Sequence, residues 1–109
     1  VQKGGSFGSD RITVRGGDGD DRLRADAGEG DDVVRIEAGP GTDTITYDVS
    51  SGQDTAYIEG GSGVDTLTIN RGVQNFTVFD QNGNILYKYG DGGTTITVVG
   101  IEQISIVAP

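Results

Sequence analysis

The 109-residue chain has no cysteine, histidine, methionine or tryptophan. Without cysteine there are no disulfides and no thiolate metal sites; without histidine the commonest transition-metal ligand and general base are gone. Whatever metal chemistry remains falls to oxygen, which selects hard cations such as calcium. Hydrophobic residues make up only 33 % of the chain, so one domain with a thin core is expected rather than two. No apolar run approaches the ~18 residues of a membrane-spanning helix, and membrane insertion is not expected. Basic residues are also scarce, 8 against 17 acidic for a net charge of −9, which speaks against a nucleic-acid partner. Enzyme signatures are missing as well. There is no histidine for a Ser or Cys relay, no G-x-S-x-G elbow and no phosphate loop with G-K-[ST], and Gly16-Gly17-Asp18-Gly19 lies in an acidic turn that repels phosphate.

What the chain does have is a period. Aspartate recurs every 11 residues at Asp10, Asp21, Asp32, Asp43, Asp54 and Asp65. Glycine stands two places before each, at Gly8, Gly19, Gly30, Gly41, Gly52 and Gly63, and apolar residues stand two and four places after each, from Ile12/Val14 to Leu67/Ile69. The unit reads G-G-x-G-x-D-x-U-x-U-x, with U apolar. A fixed short period marks a solenoid, in which each unit hides its apolar face by stacking on its neighbours. The alternation after each Asp is that of a half-buried strand, and the glycines before it mark a tight turn. Each repeat is therefore a six-residue turn and a five-residue strand, and two repeats, 22 residues, make one coil with strands on alternate sides.

Gly16-Gly17-Asp18-Gly19-Asp20-Asp21-Arg22-Leu23-Arg24 fits the calcium-binding nonapeptide of the repeats-in-toxin (RTX, haemolysin-type) family at every specified position. The segment from Gly60 to Thr68 fits it too, and the units starting at Ala27 and Ala38 replace only the first glycine. The chain thus resembles that family over about two thirds of its length, departing by two extra residues in each strand. The resemblance implies an all-β fold: a right-handed parallel β-roll over residues 1–70, with calcium between stacked turns, followed by a C-terminal antiparallel β cap over 71–109. It also implies a secreted or cell-surface bacterial origin. Such a chain would be a monomeric module of a larger protein, exported by type I secretion through a C-terminal signal and folding on calcium outside the cell.

By the same resemblance each ion is shared by the first and third carbonyls of one turn, the second and fourth of its neighbour, and the aspartates. The expected metal residues are the six repeat aspartates, the turn residues Gly16, Gly17, Asp18 and Gly19, then Gly28, Glu29 and Gly30, and Gly39 and Gly41. Turns 16–21, 38–43 and 60–65 share one edge; turns 5–10, 27–32 and 49–54 share the other, which has Ser6 and Ser50 at its second position. Ions in every gap amount to about four calciums, taking the charge of −9 to about −1. Without them each aspartate column is a column of like charge at the ~4.8 Å rung spacing.

Outside the turns, Tyr47 is expected to fill room left by Ala25 and Ala56, with its hydroxyl at the rim. Arg11 and Arg35 share one face by parity and Arg22 and Arg24 the other, balancing Asp26, Glu37, Asp48 and Glu59; an anionic polysaccharide is the alternative partner for these arginines. The T-x-T rungs Thr44/Thr46 and Thr66/Thr68 reflect the β-propensity of threonine. After Asn70 the period stops. Strands are expected over 75–80 and 85–89, joined at Asn82-Gly83, and then over 94–99 and 101–107.

Overall fold

The computed structural model describes residues 2–4, 11–26, 30–49, 52–70, 75–90 and 92–107. These contain strands and no helix. The strands are β1 (Gln2–Gly4), β2 (Arg11–Arg15), β3 (Arg22–Asp26), β4 (Val33–Glu37), β5 (Thr44–Asp48), β6 (Thr55–Glu59), β7 (Thr66–Asn70), β8 (Phe76–Phe79), β9 (Ile85–Tyr89), β10 (Thr94–Val99) and β11 (Gln103–Val107). They form two sheets, β1-β3-β5-β7-β11 and β2-β4-β6-β10-β8-β9. The protein is a parallel β-solenoid in which the chain changes sheet at every turn from β1 to β8.

The period dictates the register. Arg22 pairs with Thr44 and Thr44 with Thr66, so equivalent residues stack 22 apart, as expected for two repeats per coil. Alternation decides which side faces in: β2, for example, reads exposed-buried-exposed-buried-exposed along its length. The inward columns run Ile12–Val34–Ala56 and Val14–Ile36–Ile58 in one sheet, and Leu23–Ile45–Leu67 and Ala25–Tyr47–Ile69 in the other. Stacking these columns is what gives the short strands a continuous apolar interior.

Tyr47 departs from expectation. It is fully buried, and its hydroxyl is inside without a hydrogen-bond partner among the described residues rather than at the rim. The small methyl of Ala25 on the neighbouring strand lets the ring lie within the column. Burial, reinforced by nearby aspartates, raises the phenol's pKa.

The C-terminal segment carries the expected antiparallel pair: among the described residues β8 and β9 alone are antiparallel, joined through Gly83 at φ 84° and an Asp80 carboxylate that accepts the amides of Asn82 and Asn84 at 2.8 and 2.9 Å. β10 then inserts between β6 and β8, parallel to both, and β11 pairs with β7 in the register of the repeats. Phe76 and Val78 of β8 are fully buried and extend the core outwards, with Tyr87 stacked on Phe76 at 5.6 Å. The hairpin is therefore an excursion, after which the chain returns and completes another rung on each sheet.

Candidate functional site

The turns from the six-stranded sheet to the five-stranded one, 16–21, 38–43 and 60–65, are described in full and lie on one edge, here the first edge. The second edge carries the return turns, of which residues 30–32, 49 and 52–54 are described. Asp10, Gly28 and Glu29, expected as metal residues, lie outside the described residues, as do Ser6 and Ser50.

Glycine geometry makes the first edge possible. The second-position residues Gly17, Gly39 and Gly61 have φ of 82°, 83° and 78°, and the fourth-position residues Gly19, Gly41 and Gly63 have φ of 95°, 119° and 96°. Alternating backbone handedness turns successive carbonyls to opposite sides of the turn. A Cβ on Gly39 would stand 2.6 Å from Gly17 O, and one on Gly41 would run into Gly19 O, so the second and fourth carbonyls of the lower turn face the upper one. In return, Ala38 O comes within 2.6 Å of where a Cβ of Gly16 would stand, and Ser62 O accepts the Gly41 amide at 3.2 Å. First and third carbonyls thus come down as second and fourth come up. In the middle turn the first position is Ala38, whose buried methyl belongs to the core, whereas at Gly16 and Gly60 a carbonyl and a carboxylate oxygen crowd the point that a methyl would take.

The aspartates form a second ladder beside the carbonyls. The Asp21 amide donates to Asp43 Oδ1 at 2.9 Å and the Asp43 amide to Asp65 Oδ1 at 3.1 Å. On the second edge the Asp32 amide donates to Asp54 Oδ1 at 2.8 Å. Asp32, Asp43, Asp54 and Asp65 are each no more than 1 % exposed. The Oδ2 atoms of Asp21, Asp43 and Asp65 are buried without a hydrogen-bond partner among the described residues. Burial pushes the Asp65 carboxyl up to about 6, with the Asp43 and Glu102 charges adding to the rise. Two carboxylates one rung apart repel by about 3 kcal/mol at an effective dielectric of ~20, and a buried carboxylate oxygen without a partner costs about 1–3 kcal/mol more. Oxygen-only surroundings of this kind suit a hard cation.

An outer acid stands beside each ladder: on the first edge Asp20 Oδ1 accepts the Thr42 amide at 2.9 Å, and on the second Asp31 Oδ1 accepts the Gln53 amide at 2.8 Å. Asp18 is exposed and does not join either ladder among the described residues. No three carboxylate, histidine or cysteine side chains converge on one point among the described residues, so carbonyls must supply much of any coordination shell here.

Two residues escaped the sequence pattern. Glu102 immediately precedes β11 as Asp65 precedes β7, and its Oε1 accepts the Asp65 amide at 2.8 Å. Thr94 immediately precedes the paired stretch 95–99 as Asp54 precedes β6, and its Oγ1 donates to Asp54 Oδ2 at 3.4 Å. The hairpin displaced both from the 11-residue period. Their signal was an oxygen-bearing side chain directly before an alternating strand.

Elsewhere, arginines balance acids at strand ends as expected: Arg24 meets Asp48 at 2.7 Å, and Glu37 takes Arg15 at 3.1 Å and Arg35 at 2.7 Å. Arg35 also lies 4.8 Å over the Tyr57 ring. With Arg11, Thr13, Val33 and Thr55 these two line a shallow depression on the six-stranded sheet.

No family model, curated protein or solved structure matches the chain.

Proposed function

We propose that this chain is a non-catalytic calcium-binding module of the repeats-in-toxin kind, part of a secreted or cell-surface bacterial protein, whose roll folds when it meets calcium after export. The observation that carries this reading is the gap between stacked turns on the first edge. Carbonyls enter it from both sides, and buried carboxylate oxygens without hydrogen-bond partners border it. Calcium takes six to eight oxygens at ~2.3–2.6 Å and accepts irregular geometry, which suits a cage made mostly of backbone. The residues that would hold it are Asp21, Asp43 and Asp65 with the carbonyls of Gly17, Gly19, Ala38, Gly39, Gly41 and Ser62. On the second edge Asp32 and Asp54 stand in the same relation. Bound, the ion would neutralise the stacked carboxylates, and its binding energy would become folding energy.

Equilibrium dialysis against calcium tests this directly. About four ions per chain are expected from the gaps between six-residue turns; retention of none at millimolar calcium overturns the reading.

A second reading, an adhesive module for anionic polysaccharide on the same roll, draws on the depression beside Arg11, Arg35 and Tyr57. An aromatic face with flanking guanidinium groups suits an acidic sugar. Against it, Arg35 is already engaged by Glu37. Retention on an anionic polysaccharide column at constant calcium discriminates the two.

A further inference from the structure

We infer that Glu102, outside the repeat pattern, closes one additional cation site at the top of the first edge, between turn 60–65 and the short turn Gly100-Ile101-Glu102. This rests on the calcium reading of the regular gaps and extends it to a place that the repeat does not encode.

The lowest described gap and the last are built alike. In the lowest, a Cβ on Gly16 would meet Ala38 O at 2.6 Å and Asp21 Oδ2 at 2.8 Å. In the last, a Cβ on Gly60 would meet Gly100 O at 2.5 Å and Asp65 Oδ2 at 2.6 Å. The same two oxygens, a carbonyl from the upper turn and a carboxylate from the lower, therefore approach the same point. The aspartate amide is treated alike as well: Asp21 N donates to Asp43 Oδ1 at 2.9 Å, and Asp65 N to Glu102 Oε1 at 2.8 Å. Gly61 O approaches the short turn from below, 3.3 Å from where a Cβ of Gly100 would stand, and Gly100 has the positive φ of 67°.

Asp65 supplies the independent pointer to a ligand. It is 0 % exposed, and its Oδ2 has no hydrogen-bond partner among the described residues. That atom and Gly100 O lie 2.6 and 2.5 Å from where a Cβ of Gly60 would stand, with Ile101 Cδ1 of the short turn at 2.9 Å on the same point. A buried anionic oxygen beside a carbonyl, with a second carboxylate one rung above, is a repulsive arrangement unless a cation joins it.

Chain length explains why the upper acid is glutamate. The regular turn spends six residues between strands, whereas only Gly100, Ile101 and Glu102 separate β10 from β11. The β11 register still places Glu102 directly above Asp65. The extra methylene of glutamate lets its carboxylate reach down to the Asp65 amide. The ligand class is a hard divalent cation held by two carboxylates and backbone carbonyls, with water completing the shell.

The test counts calcium ions on the intact chain by native mass spectrometry at saturating calcium, for the wild type and Glu102→Gln. Glutamine keeps an oxygen for the Asp65 amide and removes the charge, so a purely structural role predicts no change in ion count. The proposal predicts one ion fewer per chain with the β spectrum retained. If the wild type binds calcium and Glu102→Gln binds the same number with the same titration, the Glu102 site is overturned while the regular gaps stand. If the wild type binds none, the calcium reading itself has failed. Should Glu102→Gln not fold, Glu102→Asp is titrated instead: a weakened last ion supports the site, and an unchanged titration overturns it.

Discussion

The two edges of the roll are built from the same repeat and finish differently. On the first edge the acids run from half-buried Asp21 through buried Asp43 and Asp65 and end on the carboxylate of Glu102. On the second, Asp54 ends beneath the neutral hydroxyl of Thr94. Asp43 Oδ2 has no hydrogen-bond partner among the described residues, whereas Asp54 Oδ2 is met by Thr94. One repeat can thus yield two electrostatic columns. One gathers charge along its whole height; the other is relieved at its top rung. If cations hold the roll together, the first edge should depend on them more.

The largest test of that difference is a pair of truncations. Asp43→Ala removes a carboxylate that borders two gaps, and Asp54→Ala removes one whose second oxygen is already satisfied. The calcium midpoint for folding should rise about ten-fold more for Asp43→Ala than for Asp54→Ala. Equal shifts, read by circular dichroism at a series of calcium concentrations, would erase the distinction between edges.

A smaller effect sharpens the picture of the first edge itself. Gly19→Ala meets nothing within 4 Å at φ 95°, so only the left-handed backbone opposes it, at about 1–2 kcal/mol. Gly39→Ala carries that cost at φ 83° and also drives a methyl against Gly17 O at 2.6 Å, adding about 1–3 kcal/mol of overpacking. Urea denaturation at saturating calcium should rank them in that order. Equal losses would mean that the gap between turns is looser than described.

Smallest is a control in which the edges should agree. Asp20 and Asp31 make the same exposed bond to the turn above, at 2.9 and 2.8 Å. Asp20→Ala and Asp31→Ala should each cost about 1 kcal/mol in urea denaturation. A gap of several kcal/mol between them would place the asymmetry in the outer acids rather than the buried ones.

Much of this was legible in the residues. The alternation after each aspartate placed β2 to β7 on their observed spans, because a strand with one buried face leaves no freedom of register. The Asn82-Gly83 turn was legible for a local reason, its positive-φ glycine. Insertion of β10 between β6 and β8 was not, since nothing local to 94–99 tells a strand which of two neighbours it will join. Glu102 was hidden for the same reason. It lies 37 residues from Asp65 rather than 22, and only the parallel register of β11 shows that it continues the ladder. The burial of the Tyr47 hydroxyl was missed because parity says that a side chain points inward, not how far its tip lies from the rim.

The proposed dependence of this fold on calcium rests on its stacked, buried carboxylates. It is tested most directly by far-UV circular dichroism of the chain in chelator, in millimolar calcium and in millimolar magnesium. A disordered spectrum is expected in chelator and β-structure in calcium. Magnesium should recover little, because it demands tight octahedral geometry at ~2.0–2.1 Å and sheds water reluctantly. A chain fully folded in chelator at low ionic strength, or one that magnesium folds at the same midpoint as calcium, would contradict it.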